Sequence, residues 1–197
     1  MSEKKQEPQS VCDEMIVSNI GFPGLDEHSL PSGRLTADDI DTLCRYSAGR
    51  ELAVDIGTFQ GLSASLMSRH AKQVITIDTF WGQSGYPDYD YDKVKERLTA
   101  LGNVQVYKGA AESLSDVVPD HAADLFFIDD GHGYDNVINQ LNAFRPKARP
   151  GALFLFHDYT RLYPEVVRAV DEWITAGKLI PIERTHFIMV TRRAFDE

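Results

Sequence analysis

Two short polar clusters, each directly after an apolar run, are the parts of this chain best equipped for chemistry. Leu125-Phe-Phe-Ile128 is followed by Asp129, Asp130 and His132, and Leu153-Phe-Leu-Phe156 by His157 and Asp158. An unperturbed imidazole titrates near pH 6.5, so His132 can take a proton from a hydroxyl group close to neutral pH. His132 and Asp129 are therefore the candidate catalytic residues. A third cluster lies upstream. Leu52-Ala-Val-Asp-Ile56 runs into Gly57-Thr-Phe-Gln-Gly61, and Leu62-Ser63 opens a helix. A turn of this kind aims backbone N–H groups, and the positive end of a helix, at whatever lies above the strand's carboxyl end. Twenty-one residues beyond Gly57, the run Val74-Ile-Thr-Ile77 ends in Asp78. That is about the offset at which nucleoside-binding α/β folds place the acid that holds ribose hydroxyls.

The elements needed to position these clusters follow from the hydrophobic pattern. Strands are expected at 52–56, 73–77, 103–107, 124–128, 152–156, 179–183 and 186–191. Helical stretches fall at 61–70, 91–101, 111–117, 134–144 and 164–176. A further helix begins after Thr36, whose hydroxyl can cap it, with Asp38 and Asp39 in the first turn and Gly49 at its end. Pro164 starts the last helix and Gly177 stops it. The runs ending at Ile128 and Phe156 are apolar at every position, as in strands covered on both faces. The last two strands are only about two residues apart and should form an antiparallel hairpin. The expected fold is α/β: a Rossmann-like, seven-stranded, mostly parallel sheet with helices on both faces and a C-terminal antiparallel hairpin. Residues 1–35 read as a flexible tail and irregular lead-in, and 36–197 as one domain. Ligands of open α/β sheets lie at strand carboxyl ends, so all three clusters should face one crevice.

The turn itself narrows the choice of cofactor. A dinucleotide fingerprint wants a middle glycine against the pyrophosphate, and here Phe59 stands there. Asp55, just before the first glycine, is out of place beside a pyrophosphate. It suits the ammonium and sulfonium charges of S-adenosylmethionine.

With Phe127-Ile-Asp-Asp-Gly-His-Gly-Tyr134 and Arg149-Pro-Gly-Ala-Leu-Phe-Leu-Phe-His-Asp-Tyr159, the chain resembles class I S-adenosylmethionine-dependent methyltransferases. The blocks look like the branch with macrolide-sugar O-methyltransferases and cephalosporin-hydroxylase-like proteins, and more distantly like catechol O-methyltransferase. The resemblance runs from Thr36 to Arg192 and implies roles for individual residues. Gly57, Thr58, Phe59 and Gly61 would form the loop beside the methionine portion, Asp55 would hold its ammonium, and Ser63 would reach its carboxylate. Asp78 and Thr79 would meet the ribose, Phe80 or Trp81 would cover the adenine, and Ala110, Ala111 and Glu112 would line its edge. Asp129 would also adjoin the cofactor. In metal-dependent relatives, the positions of Asp129, His157 and Asp158 hold magnesium, and that of His132 holds a general base. His157 departs from the pattern, because magnesium prefers oxygen. The resemblance therefore implies either a softer ion such as manganese, iron or zinc, or no ligand at this position.

The composition sets the outer bounds. The 197 residues carry a net charge of −10, which disfavours nucleic acid and anionic membranes as partners. Cys12 and Cys44 lack metal-ligand spacing, and the polar N-terminus has no signal-peptide core, so the cytoplasm is the expected location. The expected activity is O-methylation of a small hydroxylated metabolite (a phenol, a sugar or a natural-product intermediate), with a divalent metal, Mg or Mn, as a second candidate cofactor. The residues 80–92, 11–34 and 159–163 are the expected acceptor wall, and a homodimer would help close it. Two alternatives stay open: metal-dependent chemistry other than methylation on the same fold, and a non-catalytic cofactor-binding protein.

Overall fold

The structure, a computed structural model, describes residues 35–81 and 90–194. The tail and lead-in up to residue 34, and most of the aromatic segment after Trp81, lie outside the described residues. The strands are β1 (Leu52–Ile56), β2 (Gln73–Asp78), β3 (Val104–Lys108), β4 (Ala123–Ile128), β5 (Ala148–Phe156), β6 (Leu179–Arg184) and β7 (Met189–Arg193). The helices are α1 (Ala37–Ser47), α2 (Leu62–Ser68), α3 (Tyr91–Thr99), α4 (Tyr134–Phe144) and α5 (Pro164–Thr175).

The seven strands form one sheet in the order β3-β2-β1-β4-β5-β7-β6. The first five are parallel, and β7 pairs antiparallel with both β5 and β6. The apolar runs of β4 and β5 are explained by layers on both faces. Phe126, Phe154 and Phe156 pack under α4 and α5, through Val137, Leu141, Phe144, Val170 and Trp173. Leu125, Phe127, Leu153 and Leu155 face the other way, toward Ile40, Leu43, Leu66 and Leu98 of α1, α2 and α3. Phe126 and Phe154 stack with centroids 4.6 Å apart, one fully buried ring on the next. Each such ring contributes roughly 1.5–3 kcal/mol by leaving water.

Three local expectations needed correction. Residues 111–117 form a 3₁₀ helix, Ala111–Val117, and β5 starts at Ala148, four residues before the expected 152. The hairpin turn takes four residues, 185–188, rather than two. Phe187 and Ile188 read as strand because they are apolar, yet they are apolar because the turn is buried. Thr185 closes it, its N–H donating to the Ile188 carbonyl at 2.9 Å.

The register places the chemistry. Ile56 is level with Ile77 and Ile128, and Ile128 with Phe156. The next residue on each strand is then Asp78, Gly57, Asp129 or His157, a single row across the sheet's carboxyl edge. Ladder bonds extend into this row: Gly57 N–H to Ile77 O at 2.9 Å, Asp129 N–H to Ile56 O at 2.8 Å, and His157 N–H to Ile128 O at 3.0 Å. The order reverses between β1 and β4, and a crevice opens at such a switch point.

Candidate active site

A cavity of about 290 Å³ lies over that row. Its wall includes Gly57, Thr58, Phe59 and Ser63 of the first turn, Asp78, Thr79 and Trp81 after β2, Asp129, Asp130, Gly131 and His132 after β4, and His157 and Asp158 after β5. Leu35, Leu62 and Tyr163 complete it. Residues far apart in sequence thus share one small space, as the strand-end argument required.

Backbone strain concentrates here. Among the described residues four that are not glycine have positive φ, and three of them end strands at this site: Phe59 (46°), Phe80 (51°) and Asp158 (56°). Side chains rarely tolerate that region, so the surrounding contacts must hold it. For Phe59 the holding contact is visible. Its N–H donates to Asp78 Oδ2 at 2.8 Å, and the Phe80 N–H donates to Oδ1 at 2.7 Å. Two strand ends are thereby tied to one carboxylate, which fixes how Asp78 meets the cavity. Phe80 itself packs edge-on against Tyr91 with centroids 5.2 Å apart, while Trp81 stands on the cavity wall, largely exposed.

Asp55 sits lower. It is fully buried and off the cavity wall, accepting from Thr76 Oγ1 at 2.7 Å and from Ser63 Oγ at 3.1 Å. Thr58 and Thr76 share a hydroxyl bond of 2.5 Å, extending the network to the turn. Burial raises the Asp55 carboxyl from 3.8 to about 7, the two hydroxyl donors opposing it only in part. The folded state thus keeps a proton that the unfolded chain has already released. Stability should fall as pH rises from 3.8 to about 7, by up to about 1.4 kcal/mol per pH unit. Asp55→Asn is expected to abolish that slope, which urea unfolding at a series of pH values will show. Gly61, Ala110, Ala111 and Glu112 also stand outside the cavity wall. Gly61 caps α2 at φ 93° with Leu98 side-chain atoms 3.0 Å from where a Cβ would be.

The two polar clusters meet in one chain of charge that runs from the exposed His132 to the buried His157. His132 Nε2 donates to Asp158 Oδ2 at 2.6 Å, and its ring stacks on Tyr163 with centroids 4.2 Å apart. The Asp158 hydrogen bond raises the His132 pKa above 6.5, against its partial burial. His157 is almost inaccessible. Its Nδ1 lies 3.1 Å from Asp129 Oδ1 and 3.4 Å from Asp158 Oδ2, and its Nε2 lies 3.4 Å from Asp39 Oδ2. Burial works against a charge on this ring, but the three carboxylates prevail and hold its pKa well above 6.5. Asp158, although buried, is held well below the ordinary range by the two imidazoles.

Two of these residues were missed by sequence reasoning. Asp39 looked like a helix-start acid, and it does close a capping box with Thr36, but it is also fully buried against His157. Only its place at the third position of α1, after a capping threonine, was legible. Asp130 was named in the cluster with Asp129 and His132 without a role of its own. It lines the cavity, half-buried, and accepts from Gln140 Nε2 at 2.8 Å. Burial first, then the charge of Asp78, raises its pKa.

Whether the divalent metal implied by the sequence resemblance fits can be judged from the donors. The expected trio Asp129, His157 and Asp158 contains a ring whose two nitrogens both face carboxylates. A different trio, Asp129, His132 and Asp158, brings one ligand atom each within 4.8 Å of the others, and it is the group of that kind among the described residues.

Residues 54–159, more than half of the chain, match the family described as a methyltransferase domain. The chain belongs to that family. Its fold is shared with solved O-methyltransferases. Among solved structures, this methyltransferase domain is similar to TomG from Streptomyces achromogenes, an O-methyltransferase involved in tomaymycin synthesis, solved in complex with S-adenosylmethionine. The two are 17% identical with a TM-score of 0.62, covering 86% of this chain and 85% of that one. It is similar also to the Bacillus cereus O-methyltransferase solved with S-adenosylhomocysteine, at 15% identity and a TM-score of 0.65, covering 85% and 86%. An uncharacterized protein of Acanthamoeba polyphaga mimivirus is 33% identical over 140 residues, 65% of this chain and 62% of that relative's length. No helix among the described residues is long and apolar enough to cross a membrane.

Proposed function

We propose that this domain is an S-adenosylmethionine-dependent O-methyltransferase acting on a small hydroxylated metabolite: a phenol, a sugar or a natural-product intermediate. The observation that carries the reading is the pairing of His132 with Asp158 on the wall of the cavity that Asp78 and the Gly57 turn also line. The cofactor would supply an electrophilic methyl group on a sulfonium. Four carboxylates on the wall (Asp78, Asp129, Asp130 and Asp158) suit a ligand carrying positive charge. Asp78, anchored by two backbone N–H groups, would take the ribose hydroxyls as a pair. Asp55 lies too deep to touch an ammonium and would act through Ser63, which reaches the wall.

On the acceptor side, Asp158 fixes the neutral tautomer of His132. With Nε2–H given to the carboxylate, Nδ1 keeps the lone pair that removes the acceptor's proton. A phenol ionises near pH 10, so a base poised above 6.5 brings most of the needed proton affinity to the site. Leu35, Trp81 and Tyr163 give this side apolar and aromatic walls. The small volume favours a small acceptor, and a second copy of the chain would help close the opening.

The test has two parts. Calorimetry should detect S-adenosylhomocysteine, and Asp78→Ala should weaken it about 10–100-fold, the loss of hydrogen bonds to a charged group. Labelled S-adenosylmethionine with a panel of phenols and sugars should then show transfer. Binding without transfer to any acceptor would refute the enzymatic reading. A second reading, metal-dependent chemistry other than methylation, is favoured by the Asp129, His132 and Asp158 trio. Two carboxylates and one imidazole are oxygen and nitrogen donors of the kind that iron or manganese accepts, although non-haem iron oxygenases pair two imidazoles with one carboxylate. Stoichiometric iron in the purified protein, with an oxidised product, would select it.

A further inference from the structure

His157 occupies the position at which the metal-dependent relatives implied by the sequence present a metal ligand. Its surroundings are those of a cation, not of a ligand. The ring is buried between Phe127 and Phe187, with centroids 6.0 and 6.1 Å away. One nitrogen faces Asp129 and Asp158, and the other faces Asp39. Carboxylates only accept, so an imidazole bonded through both nitrogens donates through both and has no lone pair for a metal. Asp39 is held in turn. Its Oδ2 accepts from the Thr36 N–H at 2.9 Å and from Thr36 Oγ1 at 2.7 Å, at the first turn of α1. The first helix thus carries a buried carboxylate whose position fixes the orientation of the ring.

We propose that His157, held by Asp39 as an imidazolium, stands where metal-dependent relatives present a metal ligand and aligns Asp129 and Asp158 without a metal. This rests on the reading of Asp129, His132 and Asp158 as the acceptor-side machinery. His157 and Asp39 are then positioning residues. The single charge of the ring is shared between two carboxylates at the strand ends, and Asp158 is left oriented to hold the His132 tautomer. The trio of Asp129, His132 and Asp158 does not change this. Its imidazole is already bonded to Asp158, and a dication there would lie close to a buried positive ring that repels it. Burying charges in this way is costly unless they are paired, and here the one ring meets all three carboxylates, leaving the cluster net negative, with Asp39 Oδ1 and Asp158 Oδ1 buried and without a hydrogen bond.

The experiment is metal binding read directly, by Mn²⁺ paramagnetic resonance and calorimetry on the full chain, beside transfer assays with and without EDTA. Wild type is expected to leave Mn²⁺ free and to keep its transfer rate in EDTA. His157→Asp replaces the ring by an oxygen donor and is expected to bind Mn²⁺ at least about 10-fold more tightly than wild type. In ¹⁵N spectra of wild type, both ring nitrogens of His157 should carry protons. Asp39→Asn, which keeps the shape of the helix start, should move the ¹⁵N pattern toward a neutral ring. Stoichiometric Mn²⁺ on wild type that His132→Ala removes, transfer abolished by EDTA, or one unprotonated nitrogen on His157 would each overturn the proposal. The ¹⁵N spectrum decides it even where His157→Asp does not fold. S-Adenosylhomocysteine binding without transfer to any acceptor would sink the enzymatic reading instead, and would leave the Mn²⁺ and ¹⁵N results standing.

Discussion

His132→Ala is expected to slow methyl transfer by about 10²–10⁴-fold, the usual range for removing a positioned base, while S-adenosylhomocysteine still binds. The geometry makes this prediction specific. His132 stands on the cavity wall with 43% of its side chain exposed, open enough to meet an acceptor, while Asp158 and Tyr163 fix its ring. A neutral His132 orients its basic nitrogen away from Asp158. A truncated side chain leaves the buried Asp158 with His157 alone as an imidazole partner, so some destabilisation should accompany the lost rate.

The pH dependence separates the base from its support. The Asp158 hydrogen bond raises the His132 pKa, so the active, neutral form accumulates only above that raised value. The rate should therefore climb with pH along a limb centred above 6.5. Asp158→Asn removes the charge that holds the proton. The limb should move to lower pH, even as the maximal rate falls through loss of the fixed tautomer. The stability linkage has the opposite sense. The His132–Asp158 pair stabilises the fold fully below pH 6.5, and that contribution disappears as pH rises through the raised folded value. A rate limb that stays put in Asp158→Asn would mean that some other group is the base.

Much of the arrangement was legible in local sequence, because strand ends and glycine turns are local features. The apolar runs that end at Ile56, Ile77, Ile128 and Phe156 carry their first polar residue to the same edge once the strands are parallel. Strand existence and in-register pairing then suffice to gather Asp78, Gly57, Asp129 and His157. What was not legible depends on contacts between distant elements. The bond between His157 and Asp39 spans 118 positions, and nothing in a helix-start aspartate says which strand end it will meet. The depth of Asp55 was hidden for a similar reason. Its role depends on Thr76 of the neighbouring strand and Ser63 of α2, both of which turn inward and hold the carboxyl below the cavity wall. The burial of Asp130 was hidden because its partner, Gln140, lies ten positions on, nearly two turns into α4.

Gly57→Ala should be the most damaging alanine substitution among the described glycines, and the reason is steric at two levels. Gly57 has φ of 100°, a conformation that strains any side chain. A Cβ there would also overlap the Asp129 carbonyl oxygen, lying 2.6 Å from its carbonyl carbon and 3.0 Å from the Asp130 nitrogen. These are backbone atoms of the adjacent strand end, and they cannot swing aside as a flexible side chain would. Relief requires β1 and β4 to separate at the switch point, which would stretch the Asp129 N–H bond to Ile56 O, now 2.8 Å. It would also shift Phe59, whose N–H orients Asp78. The expected cost is about 3–5 kcal/mol, within the range where a substitution signals one identifiable steric cause. Chemical unfolding should show it as a lower midpoint, and any folded protein should bind S-adenosylhomocysteine weakly. Gly61→Ala supplies the comparison. Its Cβ would meet only the movable tip of Leu98, at 3.0 Å, so the strain of its positive φ remains but the backbone collision does not. If the two variants lost stability equally, the close approach of the turn to β4 would not be what requires glycine at position 57.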